Sequence, residues 1–246
     1  MVVSQSGRSP DVVNATRAAR KFGALTLAIV NDESSPAAEA AELILPIHAG
    51  TENAVAATKT VALSMIAGVR LVLAMSPDQS MSSGIEHLPH RLSDALTSDW
   101  SLWAASASCA AAAFVVGRGY GLGSVREIAL KMAEVLQVPS LGYSAAELRH
   151  GPRACITPAT PVLVLRQNDE AGATVDDLIR DLRDAGEQVF IAGGTASTLP
   201  WIGDGHPICD PIVMLIPAYR AIEFAARQRG LDPDNPPYLN KVTRTL

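Results

Sequence analysis

Glu127, Lys131 and Glu134 place a carboxylate, an amine and a second carboxylate at steps of four and three, and His150 follows in Ala145-Ala-Glu-Leu-Arg-His-Gly-Pro152. Helical residues three or four apart are surface neighbours, so a helix here gathers all three side chains on one stripe. A carboxylate, an amine and an imidazole make a workable set for moving protons beside a carbonyl. Taken alone, the Glu-Lys-Glu stripe also fits an exposed helix with ordinary ion pairs, which would be the default reading.

A second chemistry-bearing stretch opens the chain: Val2-Val-Ser-Gln-Ser-Gly-Arg-Ser-Pro-Asp11. A strand end runs through a small, hydroxyl-rich turn into a helix. Ser9 is placed as the N-cap and Pro10 as the first helical residue. Free N–H groups at such a terminus attract an anion, Ser4, Ser6 and Ser9 add hydroxyl donors, and Gly7 lets the backbone come close. The segment reads as a phosphate cradle, or else as a capped helix start with nothing bound. Later in the chain, Arg166-Gln-Asn-Asp169 carries an acid where the small residues stood, so only the first turn is equipped for phosphate. Gly117-Arg-Gly-Tyr-Gly-Leu-Gly123 follows a strand, but its spacing is wrong for a dinucleotide fingerprint and no ribose-binding acid follows. It reads as a tight turn that presents backbone near a substrate, or equally as a plain glycine-rich turn.

The elements that must position these residues alternate. Short apolar runs at 23–30, 43–46, 112–116, 161–165 and 189–192 read as buried parallel strands, and helices are predicted over about 10–22, 55–76, 122–137, 172–185 and 214–229. This alternation predicts βαβ units and parallel sheets covered on both faces. With 48% hydrophobic and 4% aromatic residues, the core rests on Ala, Val, Leu and Ile. The apolar run from Val61 to Met75 is too short to span a bilayer and is broken by Arg70, so it reads as a buried helix.

The two halves repeat. Ser4-Gln-Ser-Gly7, a helix, then Gly23 and a strand match Arg166-Gln-Asn-Asp169, a helix, then Gly186 and a strand. Two doubly wound lobes are expected, at 1–80 and 107–246, joined by a helical connection at 81–106. In the second half a strand and Gly117-Arg-Gly119 precede Gln167 by about fifty residues, whereas only four residues precede Gln5. The first lobe is therefore expected to be incomplete at its N-terminal side, through an upstream start or a shortened form, with an exposed sheet edge.

The chain resembles the sugar isomerase (SIS) family. It is similar in particular to the isomerase half of glutamine–fructose-6-phosphate amidotransferase and to stand-alone aminosugar-phosphate isomerases and deaminases. The residues that carry the resemblance are Ser4-Gln-Ser-Gly7 with Ser9, His48-Ala-Gly-Thr-Glu52 with Ala57-Thr-Lys-Thr60, Glu127-Ile-Ala-Leu-Lys131 with Glu134, Ala146-Glu-Leu-Arg-His-Gly-Pro152, and Leu239-Asn-Lys-Val-Thr243. The resemblance implies tandem flavodoxin-like lobes. It implies that Ser4, Gln5, Ser6 and Ser9 hold a sugar phosphate, and that backbone at Val55 and Ala56 meets the sugar. Glu134 would shuttle the proton between C1 and C2, with Lys131 beside the developing enolate and Glu127 orienting the lysine. His150 would assist ring opening from a neighbouring subunit, and Lys241 would reach the sugar carbonyl. Arg8 stands where the family often has an acid. Its side chain could reach phosphate or point to solvent, and solvent is preferred.

The implied activity is that of an isomerase or deaminase on a hexosamine 6-phosphate. Ring opening and C1–C2 proton transfer would be followed by ammonia release to fructose 6-phosphate. Deamination is favoured over synthesis because neither a glutaminase half nor an initial nucleophilic cysteine is present in this chain. The alternatives are pure aldose–ketose isomerisation and a sugar-phosphate-binding regulatory module. A sensor needs the serine cradle but not Glu134, Lys131, His150 and Lys241 together, which favours the enzyme. No cofactor or metal is called for, since the five histidines show no ligand spacing. A net charge of −5 gives no general attraction for nucleic acid or anionic membrane. Cys109, Cys155 and Cys209, odd in number and without CxxC spacing, point to a reducing compartment. The expectation is a cytoplasmic homodimer with a shared active site.

Overall fold

The computed structural model describes residues 1–203 and 205–242. These form two compact units. Unit 1 is Met1–Ser76 with the described residues from Asp234 on, and unit 2 is Pro77–Pro233. The helices after Ser76 are thus grouped with unit 2 and the C-terminal tail with unit 1, where the Val55 N–H donates to Asp234 O at 2.9 Å.

Unit 1 runs β1 (Val2–Ser4), α1 (Pro10–Lys21), β2 (Leu27–Val30), α2 (Pro36–Ala40), β3 (Leu43–Pro46) and α3 (Lys59–Met75). The three strands are parallel in the order β1-β2-β3, with Ser4 opposite Val30. Side chains alternate between the faces of a strand, and β2 uses both. Ala28 and Val30 pack with Val13 and Ala37 of α1 and α2, while Ile29 packs with Ile47 and Ala67 on the α3 side. The sheet therefore sits between helical layers, as a continuous apolar strand requires. Two expectations need correction. The run from Gly23 becomes strand only at Leu27, after a turn. The third helix starts at Lys59 instead of 55, and it is buried on one face only, with Val72 and Met75 exposed, because a three-stranded sheet covers one stripe.

Unit 2 runs α4 (Gln79–Ala95), α5 (Ser101–Cys109), β4 (Ala113–Gly117), α6 (Leu122–Val135), β5 (Ser140–Ser144), α7 (Ala145–Arg149), β6 (Val162–Leu165), α8 (Gly172–Asp184), β7 (Val189–Ala192) and α9 (Asp210–Gln228). All four strands are parallel, in the order β5-β4-β6-β7. One face packs Phe114, Val116 and Val164 against Leu148, Leu178 and Leu182 of α7 and α8. Against the other face lies α6, which packs on β4, β5 and α9. The Ser124 hydroxyl donates to Pro211 O at 2.9 Å and ties α6 to α9 inside the core. Full burial of one Leu, Ile or Val contributes roughly 1.5–3 kcal/mol, and every residue of β4 and β6 is buried. This sheet is the rigid platform for α6. Among the described residues no helix is long and apolar enough to cross a membrane.

Candidate functional site

Val125, Ile128, Ala129, Met132 and Val135 recur at helical spacing and bury one side of α6. Glu127, Lys131 and Glu134 occupy the adjoining stripe. Lysine is almost never fully buried unless paired, yet Lys131 is only 3% exposed. Its Nζ donates to Glu134 Oε2 at 2.6 Å and lies 3.4 Å from Glu127 Oε1. From α9, the Tyr219 hydroxyl donates to Glu127 Oε1 at 2.9 Å. Burial pushes the Glu127 carboxyl above its ordinary range, against the opposing pull of the Lys131 charge and the Tyr219 hydroxyl. An exposed helix with solvated ion pairs is thereby ruled out. The least covered member is Glu134, at 22% side-chain exposure against 12% for Glu127. A carboxylate open to a ligand, beside an ammonium fixed by a second, more deeply held carboxylate, can take a proton from carbon while the cation meets a developing oxyanion.

In unit 1 the opening turn folds as a hydroxyl-rich bend into α1. The Ser4 hydroxyl accepts from the Gly7 N–H at 3.1 Å, and the Ser6 hydroxyl accepts from the Arg8 N–H at 3.3 Å. Gly7 has a φ of 61°, and a Cβ there would lie 2.1 Å from Ser35 Oγ, so both backbone conformation and space demand glycine. Ser9 takes the N-cap position before Pro10, but its side chain makes no capping hydrogen bond. A cavity of about 360 Å³ is lined by Ser4 and Gln5, with Thr60 and Ser64 of α3 across from them. Ser6 and Ser9 belong to the turn and do not line that cavity. Arg8 pairs with Asp32 at 2.7 Å. The Ser34 hydroxyl and then Arg8 hold the Asp32 carboxyl below its ordinary range.

The loop before α3 is organised by Glu52, whose side chain is only 4% exposed. Its Oε1 accepts from the N–H groups of Thr58 and Thr60 at 3.1 and 3.2 Å. Its Oε2 accepts from the Thr60 hydroxyl at 2.7 Å and from Lys241 Nζ at 2.9 Å. Lys241 also donates to Ala54 O at 2.7 Å. Burial alone would raise the Glu52 carboxyl, but Lys241, Thr60 and Thr58 outweigh it and hold it below its ordinary range.

A model of the SIS domain matches residues 1–74 and 107–199. The chain belongs to the SIS domain family. It is 32% identical to the glutamine–fructose-6-phosphate aminotransferase (isomerizing) of Methanothermobacter thermautotrophicus, over 97% of this chain and 42% of that relative. It thus spans about two-fifths of the length of the curated relatives it matches. Among solved structures, a protein of Silicibacter pomeroyi DSS-3 described as a candidate phosphosugar isomerase shares 36% identity at a TM-score of 0.88, covering 94% of this chain and 72% of that one. The glucosamine-6-phosphate deaminase of Thermotoga maritima, at 22% identity and a TM-score of 0.81 over 98% of this chain and 74% of that one, shares the fold.

His150 caps the C-terminus of α7, is exposed, and makes no hydrogen bond or ion pair to Glu127, Lys131 or Glu134 among the described residues. The Val55 N–H is engaged by Asp234 O, and Ala56 is buried. Thr243 lies outside the described residues. Among the described residues, no three His, Cys, Asp or Glu side chains gather to hold a metal. Sequence reasoning missed two residues that hold these groups in place. Glu52 lay inside a motif that was recognised but given no role. Tyr219 is the one hydroxyl-bearing residue in the largely apolar stretch Pro211–Ile222 of α9, and that was its only signal.

Proposed function

We propose that this SIS domain chain is a phosphosugar isomerase that acts on a hexosamine 6-phosphate and releases ammonia. The observation that carries the reading is the buried Lys131 held between Glu127 and Glu134. In the proposed course His150 assists ring opening to the free aldehyde. Glu134 removes the C2 proton, and Lys131 stabilises the C1 oxyanion that forms and gives it a proton, which the lysine regains when water adds to the iminium. The same carboxylate returns the proton to C1, which leaves an iminium at C2. Water adds there, the C2–N bond breaks, and ammonia leaves with fructose 6-phosphate. Lys241 meets the carbonyl, and Ser4, Gln5, Ser6 and Ser9 receive the phosphate, with backbone at Val55 and Ala56 against the sugar. The exposed position of His150 supports its use by a neighbouring copy in a homodimer, and three free cysteines support a cytoplasmic setting.

The test is incubation with glucosamine 6-phosphate, reading ammonia and fructose 6-phosphate together. The two should appear in equal amounts, and Glu134→Gln should abolish both. A ketose formed without ammonia would replace deamination with aldose–ketose isomerisation, which the same triad serves equally. Tight binding without turnover would make the chain a sugar-phosphate sensor.

A further inference from the structure

β2 ends at Val30, and Asn31, the residue that follows, hydrogen-bonds in two directions. Its N–H donates to Gln5 O in the opening turn at 3.4 Å. Its side chain grips the loop that follows β3: Oδ1 accepts from the Ala49 N–H and Nδ2 donates to Gly50 O, both at 2.8 Å. An amide suits this position because one planar group offers both an acceptor and a donor. β3 and β2 stay paired as far as Ile47, whose N–H donates to Val30 O at 3.0 Å. The Asn31 side chain takes over the pairing from there.

His48 shows why the loop needs this grip. It has a φ of 49°, a left-handed conformation that residues with a Cβ seldom adopt and that persists where the surroundings over-determine it. Its imidazole does not supply that hold. Nδ1 lies 3.8 Å from Glu33 Oε1, with both side chains more than half exposed, and an exposed pair is screened by solvent and contributes little. The two bonds from Asn31 close on the residues directly after His48 and fix the turn. The residues beyond them hold the tail: Glu52 Oε2 and Ala54 O accept from Lys241 Nζ at 2.9 and 2.7 Å. Thr51 O accepts from Lys59 Nζ at 2.6 Å, at the start of α3. A displacement at Ala49 and Gly50 is thereby passed to the seat of Lys241.

We propose that Asn31 is a positioning residue: it fixes the loop that seats Lys241 at a set distance from the turn assigned to the phosphate. The inference rests on the reaction proposed above for the parts given to that turn and to Lys241, and it deepens that reading by naming what holds the two in register. Asn31 touches neither phosphate nor carbonyl in this scheme. It acts through Ala49 and Gly50 on one side and through Gln5 on the other. Its loss should therefore spare ground-state binding at the turn and impair the step that needs the lysine.

The test compares the full chain with Asn31→Ala in two measurements. With glucosamine 6-phosphate, kcat should fall roughly tenfold while KM stays within about threefold. Amide hydrogen exchange, which needs no turnover, should speed up roughly tenfold over residues 49–60. That includes the Thr58 and Thr60 amides held by Glu52. The Gly7 and Arg8 amides, held by Ser4 and Ser6, should keep their rates. Asn31→Asp keeps the acceptor for the Ala49 N–H but turns a carboxylate oxygen on Gly50 O. It should behave in the same way, and it decides the matter if the alanine variant fails to fold. Unchanged exchange over residues 49–60 would overturn the proposal. So would faster exchange spread evenly over unit 1, which a plain loss of stability produces, or a KM that rises while kcat holds. A wild type that does not turn over glucosamine 6-phosphate would sink the proposed reaction and not the positioning, which the exchange pattern then decides alone.

Discussion

The Tyr219 hydroxyl donates to Glu127 Oε1 across 2.9 Å, so a residue of α9 fixes the carboxylate that in turn faces Lys131. Tyr219 is therefore a positioning residue. A hydrogen bond to a charged group is worth about 1.5–3 kcal/mol, and Tyr219→Phe should lower kcat roughly tenfold while KM changes little. The hydroxyl also opposes the upward push of burial on the Glu127 carboxyl. Its loss should carry that carboxyl higher still and move the acid limb of the kcat–pH profile to higher pH. A tyrosine that only filled space would leave the profile where it was.

Lys131→Met tests the triad itself. Removing one partner from a buried ion pair costs about 3–5 kcal/mol, because the remaining charge is left uncompensated, and here two carboxylates remain. Turnover should disappear, and the variant should be destabilised at neutral pH. The sign with pH follows from Glu127. Its carboxyl is already above the ordinary value of 4.5 in the folded protein and rises further without the lysine. The folded state then binds a proton more tightly than the unfolded state, so stability increases as pH falls through the raised value. Urea melts at about pH 8 and about pH 5.5 should show the deficit shrinking on acidification. A deficit that grew instead would mean that the two glutamates are not the groups left unpaired.

The α6 stripe could be read from spacing alone, because residue types at steps of four and three fix a helical face. Its burial could not. The residue that covers Glu127 comes from 92 positions further on, and the Arg91–Asp210 pair joins residues 119 apart. Strands such as β4 and β6 were legible within a few residues because both faces are buried, and β7 because its four residues are all apolar. β5 was not, since Ser140-Leu-Gly-Tyr-Ser144 lacks an apolar run. Its glycine is there for space: a Cβ on Gly142 would lie 2.9 Å from Arg126 Cα, so the strand trades apolar character for close approach to α6. The tail lysine was legible as a motif, but not its anchor, because Glu52 and Lys241 meet across 189 residues.

Glu52 should act as the keystone of the loop before α3. Its carboxylate accepts four hydrogen bonds, and their combined effect holds it below the ordinary value of 4.5. Glu52→Gln removes the charge and should cost about 1.5–3 kcal/mol at neutral pH. A depressed carboxyl stabilises the fold fully above its unfolded value and loses that contribution as pH falls through the folded one. The stability gap between wild type and variant, measured by urea unfolding, should therefore be constant near neutrality and close below pH 4.5. A gap that persisted in acid would show that the amide fails on shape and not on charge. Because Lys241 loses its anchor, the variant should also lose turnover.

The opening turn separates two neighbours with opposite expected behaviour. Arg8 is engaged by Asp32 at 2.7 Å, with more than half of its side chain exposed, and exposed ion pairs are screened by solvent and salt. Arg8→Ala should leave KM for a sugar phosphate within about twofold at physiological salt. Gly7 has no such freedom. Its φ of 61° and the 2.1 Å approach of Ser35 Oγ to a Cβ placed there leave no room for a side chain. Gly7→Ala must either strain the backbone, at about 1–3 kcal/mol, or push α2 away, because the Ala37 N–H donates to Gly7 O at 3.0 Å. Either change displaces Ser4 and Ser6 from their present hydrogen bonds. The expected result is a KM raised at least tenfold, with kcat less affected, since the α6 triad lies in the other unit of the chain. A KM that rose for Arg8→Ala and held for Gly7→Ala would move the phosphate contact from the serine bend to the arginine.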